Sequence, residues 1–145
     1  MELIFLVFQI LFAVFFLYLC VAFVTGAPFV PSTQKTSECM IALSGCKAGE
    51  NIIDLGSGDG RLVRLAAAKG AHALGVEINP FLVWYSRIVS LFIRHQGTAR
   101  FIRSNFWSTD LRNADIVCVY LLPWKMERLE QKLIAECKPG TRIVS

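Results

Sequence analysis

Apolar positions run without interruption from Leu3 to Val24, 22 residues in which Gln9 is the only strongly polar side chain. As a helix rising about 1.5 Å per residue, this stretch reaches roughly 33 Å, enough to cross a bilayer core. The pattern therefore predicts a transmembrane anchor over residues 1–25. A cleaved leader would show a basic start and a shorter apolar core. Here Glu2 is the only charged side chain ahead of the run, and Pro28 directly follows the small residues Thr25-Gly26-Ala27. Residues 26–32, with Pro28 and Pro31, read as a linker. After it the pattern changes to short apolar runs alternating with amphipathic ones. Ser32 or Thr33 caps a helix running to about Ser44, with Met40, Ile41 and Leu43 on its apolar side and Gly45 past its end. Lys47-Ala48-Gly49 is a turn. Strands are predicted at about 51–55, 73–77, 99–103 and 115–120, and a fifth begins at Arg142. Helices are predicted at about 60–69, 80–94 and 124–137, with Pro80 suited to a first helical turn. The run at 115–120 is typical of a strand covered on both faces. Strands alternating with helices over 33–145 specify an α/β fold, a doubly wound Rossmann-like parallel sheet. Right-handed crossovers and a reversal of strand order beside the first strand place a ligand crevice at the carboxyl ends of strands one and four.

Between the apolar pair Ile52-Ile53 and the helical pattern from Arg61 lies Asp54-Leu55-Gly56-Ser57-Gly58-Asp59-Gly60, a glycine turn joining strand to helix. Glycines let the backbone approach a ligand closely. A dinucleotide turn has the spacing G-x-G-x-x-G. Here the third glycine comes one residue early, and Arg61 stands where that pattern wants glycine or alanine. An acidic residue also precedes the first glycine by two places. D-x-G-x-G-x-G resembles motif I of the class I S-adenosylmethionine-dependent methyltransferases. Glu77, 19 residues after Gly58, ends the second strand, where an acid accepts hydrogen bonds from ribose hydroxyls; the alternative is a surface Glu at a strand end. Asp54 ends an apolar strand, where an unpaired carboxylate is costly. A methionyl ammonium would satisfy it, and so would turn amides that it braces. Asn105 and Phe106 follow the third strand. The resemblance gives Asn105 the adenine amino group and Phe106 a backbone contact with the ring. The family's usual Asp is Asn here, which still accepts a hydrogen bond but without charge.

All 15 Lys and Arg, and 10 of the 11 Asp and Glu, follow the apolar run, a balance of +5. Lys35 and Lys47 lie downstream of the run and no Lys or Arg lies upstream. The positive-inside rule then puts the domain on the cytoplasmic side of a bacterial inner membrane, or on the matrix side in a mitochondrion. A mildly basic domain is attracted to an anionic leaflet. No basic run is dense enough to argue nucleic-acid binding. Cys20, Cys39, Cys46, Cys118 and Cys137 show no C-x-x-C spacing and do not group with His72 or His95. That excludes the usual zinc and disulfide patterns, fits a reducing compartment and leaves no metal site. Cys118 reads as core, and both histidines as surface residues.

Pro28-Phe29-Val30-Pro31-Ser32, Asp54 to Arg61 and Glu77-Ile78-Asn79-Pro80-Phe81-Leu82-Val83-Trp84-Tyr85-Ser86-Arg87 together resemble one family, the membrane-anchored seven-β-strand lysine methyltransferases. Its members include the mitochondrial enzymes acting on the c-subunit of ATP synthase and on the adenine nucleotide translocase. Tyr120-Leu121-Leu122-Pro123-Trp124 and the segment from Leu133 to Ser145 are similar to bacterial relatives of that group. The resemblance implies an S-adenosylmethionine-dependent protein-lysine N-methyltransferase acting at or near a membrane, with a membrane protein's lysine as substrate. Cofactor contacts fall to Asp54, Gly56, Ser57, Gly58, Gly60, Glu77, Ile78, Asn105 and Phe106. Tyr120 and Trp124 are the candidates for orienting the acceptor amine, with core packing as the competing role for Trp124. Of the neighbours Trp84 and Tyr85, at least one is expected in the core. Family members continue past strand five, so the domain at 33–145 is expected to be incomplete at its C-terminus. The competing functions are a small-molecule or lipid methyltransferase and a cofactor-binding remnant without activity. Arg61 and the short glycine spacing disfavour a nicotinamide oxidoreductase.

Overall fold

The computed structural model describes residues 2–25, 33–120 and 126–145, with side chains of the first helix described through Leu17. The chain forms two compact units, Met1–Val30 and Pro31–Ser145. The first contains helix α1 (Glu2–Thr25). Among the described residues, no helix is long and apolar enough to cross a membrane.

The second unit is an α/β layer structure. In chain order it has α2 (Gln34–Leu43), β1 (Asn51–Leu55), α3 (Arg61–Ala68), β2 (His72–Glu77), α4 (Pro80–Leu91), β3 (Thr98–Arg103), β4 (Ile116–Val119), α5 (Met126–Glu136) and β5 (Arg142–Val144). The five strands are parallel, in the order β3-β2-β1-β4-β5. The order reverses beside β1, so the expected crevice lies at the carboxyl ends of β1 and β4. The register pairs Asp54 with Gly75 on one side and Cys118 on the other.

Alternation along each strand sorts the core into two faces. Ile52, Ile116 and Cys118 join Met40, Ile41, Val63, Ala66 and Val83 in one cluster, under α2, α3 and α4. Ile53, Leu55, Val117 and Val119 join Leu111, Ala114 and Leu129 in the other, under α5. β1 and β4 are covered on both faces, which is why they read as continuous apolar runs. Leu129 is fully buried, and α5 buries no other described residue so completely. Leu129→Ala should cost about 2–5 kcal/mol, measurable as a lower urea midpoint with an unchanged slope.

Polar contacts set the element boundaries. Thr33, rather than Ser32, caps α2, its hydroxyl accepting from the Thr36 amide at 3.1 Å. Asn79 caps α4 by accepting from the Phe81 amide at 3.0 Å, with Pro80 in the first turn as expected. Asp115 lies outside β4, and its carboxylate accepts from the Asn51 amide and from Lys138 Nζ. Four expectations are corrected. Leu43 is 74% exposed, because α2 buries Ser37, Met40 and Ile41 instead. α4 ends at Leu91, three residues early. Trp84 and Tyr85 are both exposed, because α4 turns Val83 and Ser86 inward. His95 is only half-exposed, with its Nδ1 buried and Nε2 3.0 Å from Ser90 Oγ.

Candidate functional site

The site is built on the turn between β1 and α3. Gly56, at φ +85°, fronts open space: a methyl added there would meet nothing within 4 Å. Gly60, at φ +77°, is the opposite case. It is the N-cap of α3, and a methyl there would lie 2.4 Å from the Phe101 ring and 2.8 Å from Ser86 Oγ. Both positions need the left-handed backbone that glycine adopts without strain. Gly60 additionally lets α4 and β3 close over the turn.

The turn's amides are largely committed within the protein. Gly56 and Ser57 N–H both donate to the Val76 carbonyl, at 2.9 and 3.0 Å. Gly58 N–H donates to Glu77 Oε2 at 3.0 Å, Gly60 N–H to the Ser57 carbonyl, and Arg61 N–H to Asp59 Oδ1. The end of β2 thus holds the turn by a carbonyl and a carboxylate. Glu77 Oε1 also accepts from the Asn79 amide at 2.9 Å, so one side chain braces the turn and the start of α4 together. Each of its oxygens keeps a lone pair for a further donor. Ser57 points inward. Its hydroxyl is buried against Gly75 and has no hydrogen-bond partner among the described residues.

Asp54 is 7% exposed and receives no hydrogen bond among the described residues. The alternative role of bracing the turn amides is therefore corrected: Val76 and Glu77 do that work. Burial pushes the Asp54 carboxyl up to about 7, and the nearby charges of Glu77 and Asp59 push the same way. Asp59 behaves differently. Burial raises it, but the Arg61 fork and the Arg61 amide outweigh burial and hold it below the usual carboxylate range. Of the three carboxyl groups around the turn, Asp59 is answered by Arg61, Glu77 by backbone amides, and Asp54 is buried and unpartnered. That leaves Asp54 as the place for a ligand's positive charge.

The third strand end contributes less directly. Asn105 is exposed, and its side-chain oxygen accepts from the Trp107 amide at 3.1 Å, capping a short 3-10 turn at Phe106–Ser108. One lone pair remains for an outside donor. Phe106 is half-buried against Trp107, with ring centroids 4.6 Å apart, and the Arg128 guanidinium lies 4.5 Å from the Trp107 ring centroid. Ile78 is 49% exposed directly after Glu77. Tyr120 is 57% exposed beyond the carboxyl end of β4. Trp124 and the wall at 121–124 lie outside the described residues. Gly75, Val76, Ser86 and Phe101 support the turn and were missed in the sequence. Only Gly75 left a trace there, as a glycine inside a strand, which marks a close approach.

A parallel sheet of this order, with a glycine turn after β1 and an acid ending β2, defines a Rossmann-like methyltransferase fold. Within it, the chain belongs to the ANTKMT methyltransferase domain family, whose model matches residues 54–145. The lysine N-methyltransferase of the ATP synthase c-subunit from Homo sapiens is 39% identical over 118 residues, covering 81% of this chain and 50% of that protein. A protein-lysine N-methyltransferase of Saccharolobus islandicus is 34% identical over 132 residues, 86% of this chain and 78% of its own. A solved RNA methyltransferase from Salinibacter ruber, in complex with S-adenosyl-L-homocysteine, aligns with a TM-score of 0.75 at 32% identity, over 79% of this chain and 75% of that one. The chain spans about half the length of the human relative.

Proposed function

We propose that the chain binds S-adenosylmethionine at the carboxyl ends of β1, β2 and β3 and serves methyl transfer to a lysine of a membrane protein. The cofactor reading is carried by Asp54, a buried carboxyl without a partner beside two more carboxylates. An ammonium next to a sulfonium suits that charge; a dinucleotide does not. The bound cofactor supplies an electrophilic methyl carbon. This chain's residues orient it: Asp54 holds the methionyl ammonium, and Gly56 leaves room for the methionyl chain. Glu77 takes ribose hydroxyls on its remaining lone pairs. Ile78 packs beside the adenine, whose amino group donates to Asn105 while the Phe106 backbone meets the ring.

The acceptor lysine has to be neutral to attack. With an ordinary pKa of about 10.4, roughly one free lysine in 2,500 is neutral at pH 7, and an apolar surrounding raises that fraction. Tyr120, exposed beyond β4, orients the amine. Lysine is favoured as acceptor because the human and Saccharolobus relatives carry that name. Residues 1–25 act as the anchor, supported by Leu3, Phe5, Phe8 and Leu11, which α1 exposes in turn. Lys35 and Lys47 after the run favour a cytoplasmic or matrix domain.

The test is calorimetric titration of S-adenosylmethionine, and separately NADH, into the full chain in detergent. S-adenosylmethionine should bind and NADH should not, and Glu77→Ala should weaken binding. NADH binding, or a folded chain indifferent to S-adenosylmethionine, would sink the proposal. Transfer of a labelled methyl group to membranes then separates acceptors: label recovered as methyllysine supports protein, and label extracted into solvent supports a lipid or small molecule.

A further inference from the structure

Helix α4 is apolar on both sides. Val83 and Ser86 face the core, and Phe81, Trp84 and Leu91 lie on the opposite face, 79%, 66% and 82% exposed. Phe92, at the helix end, is 85% exposed and continues the stripe. A surface helix normally turns polar residues outward there, and a contiguous exposed apolar face marks a docking surface. The surrounding charge identifies the partner. Residues 78–109 contain no Asp or Glu, while they carry Arg87, Arg94, Arg100 and Arg103. Arg87 is committed to the Phe101 carbonyl. Arg94, just past α4, and Arg103, on the same face of β3 as Phe101, are exposed, whereas Arg100 pairs with Leu74 and faces the other side of the sheet; none of the three enters an ion pair among the described residues.

We infer that this face of α4 docks on the surface of an anionic lipid bilayer. Phe81, Trp84, Leu91 and Phe92 enter the boundary between headgroups and acyl chains, and Arg94 and Arg103 meet lipid phosphates. Tryptophan in such a stripe suits that boundary, where its ring is apolar and its N–H stays wet. A second copy of the chain fits poorly, because two acid-free faces with free arginines repel. Docking has a consequence for the crevice: α4 begins three residues after Glu77, so the cofactor end of the sheet is held at the bilayer surface. This contact is distinct from the anchor proposed for residues 1–25.

The test isolates Trp84 so that α1 cannot produce the signal. The full chain is reconstituted in vesicles of phosphatidylcholine alone, or of phosphatidylcholine with phosphatidylglycerol, with brominated acyl chains. Subtracting the fluorescence of Trp84→Phe leaves the Trp84 component. In phosphatidylglycerol vesicles that component should be strongly quenched. Quenching should fall several-fold in phosphatidylcholine, and in the double variant Arg94→Glu, Arg103→Glu, with far-ultraviolet dichroism unchanged. An unquenched Trp84 component in anionic vesicles overturns the inference. So does equal quenching in both lipids, or a Trp84 signal that depends on protein concentration in detergent, which would mean that a second copy covers the face.

Discussion

Asp54→Asn should abolish most S-adenosylmethionine binding and at the same time make the chain more stable above neutral pH. In the folded protein the carboxyl is raised from 3.8 to about 7, chiefly by burial, then by the charges of Glu77 and Asp59. The raised value means that folding favours the protonated acid. Stability is then full below about pH 4, declines as pH climbs from 4 to 7, and stays at the lower level above 7. The cost of the buried charge at pH 8 is roughly 4 kcal/mol, since each pKa unit corresponds to about 1.4 kcal/mol. An Asn amide there is also unpartnered, so the net gain is smaller, about 2 kcal/mol. Thermal unfolding of the two proteins at about pH 5 and pH 8 checks this: the curves should lie close at the lower pH, with the variant higher at the upper one. Binding should move the other way. An ammonium held by a carboxylate loses on the order of 1.5–3 kcal/mol with the charge gone, about 10-fold to 150-fold in affinity. Wild-type affinity should also strengthen as pH rises through 7, where Asp54 ionises. A variant that binds as tightly as wild type removes Asp54 from the site. If affinity falls as expected, this one carboxyl weakens the fold in order to serve the ligand, a trade common at functional sites.

Gly60→Ala should be the most damaging single-methyl change in the turn. The added carbon would lie 2.4 and 2.8 Å from two atoms of the Phe101 ring and 2.8 Å from Ser86 Oγ, at φ +77°. The left-handed backbone costs about 1–2 kcal/mol for a residue with a Cβ, and overpacking a further 1–3 kcal/mol. A loss of roughly 2–5 kcal/mol is a large part of a small domain's stability. Gly56→Ala makes the contrast. Its backbone conformation is similar, at φ +85°, but its methyl would project into open space. It should lose only the backbone share of stability while weakening cofactor binding, because the methyl enters the crevice. Urea unfolding and calorimetry on both variants separate the roles. Phe101→Leu in the Gly60→Ala background should recover part of the packing loss and none of the backbone loss. Equal stability losses for the two alanine variants would contradict this account.

Much of the architecture was legible in the chain because its signals are local. Runs covered on both faces mark β1 and β4, Pro80 and Asn79 mark the start of α4, and the 19-residue spacing from Gly58 to Glu77 marks an acid beside the turn. The exposure of Trp84 and Tyr85 was not legible: when both sides of a helix are apolar, periodicity cannot say which side meets the sheet. Asn105 pointed toward adenine by resemblance, yet its oxygen is shared with a cap two residues on, a choice made by the local backbone.

The sequence alone therefore establishes the α/β order, the glycine turn and the acids near it, since hydrophobic periodicity and glycine conformation act over a few residues. The tertiary structure decides which carboxyl does what. Glu77 reaches the Gly58 amide because parallel pairing sets β2 beside β1, and Val76 takes the Gly56 and Ser57 amides for the same reason. That leaves Asp54, two residues before the first glycine, buried between Gly75 and Cys118 with its charge unanswered. Hydrogen-bond partners and desolvation depend on which strands become neighbours, and no local pattern encodes that.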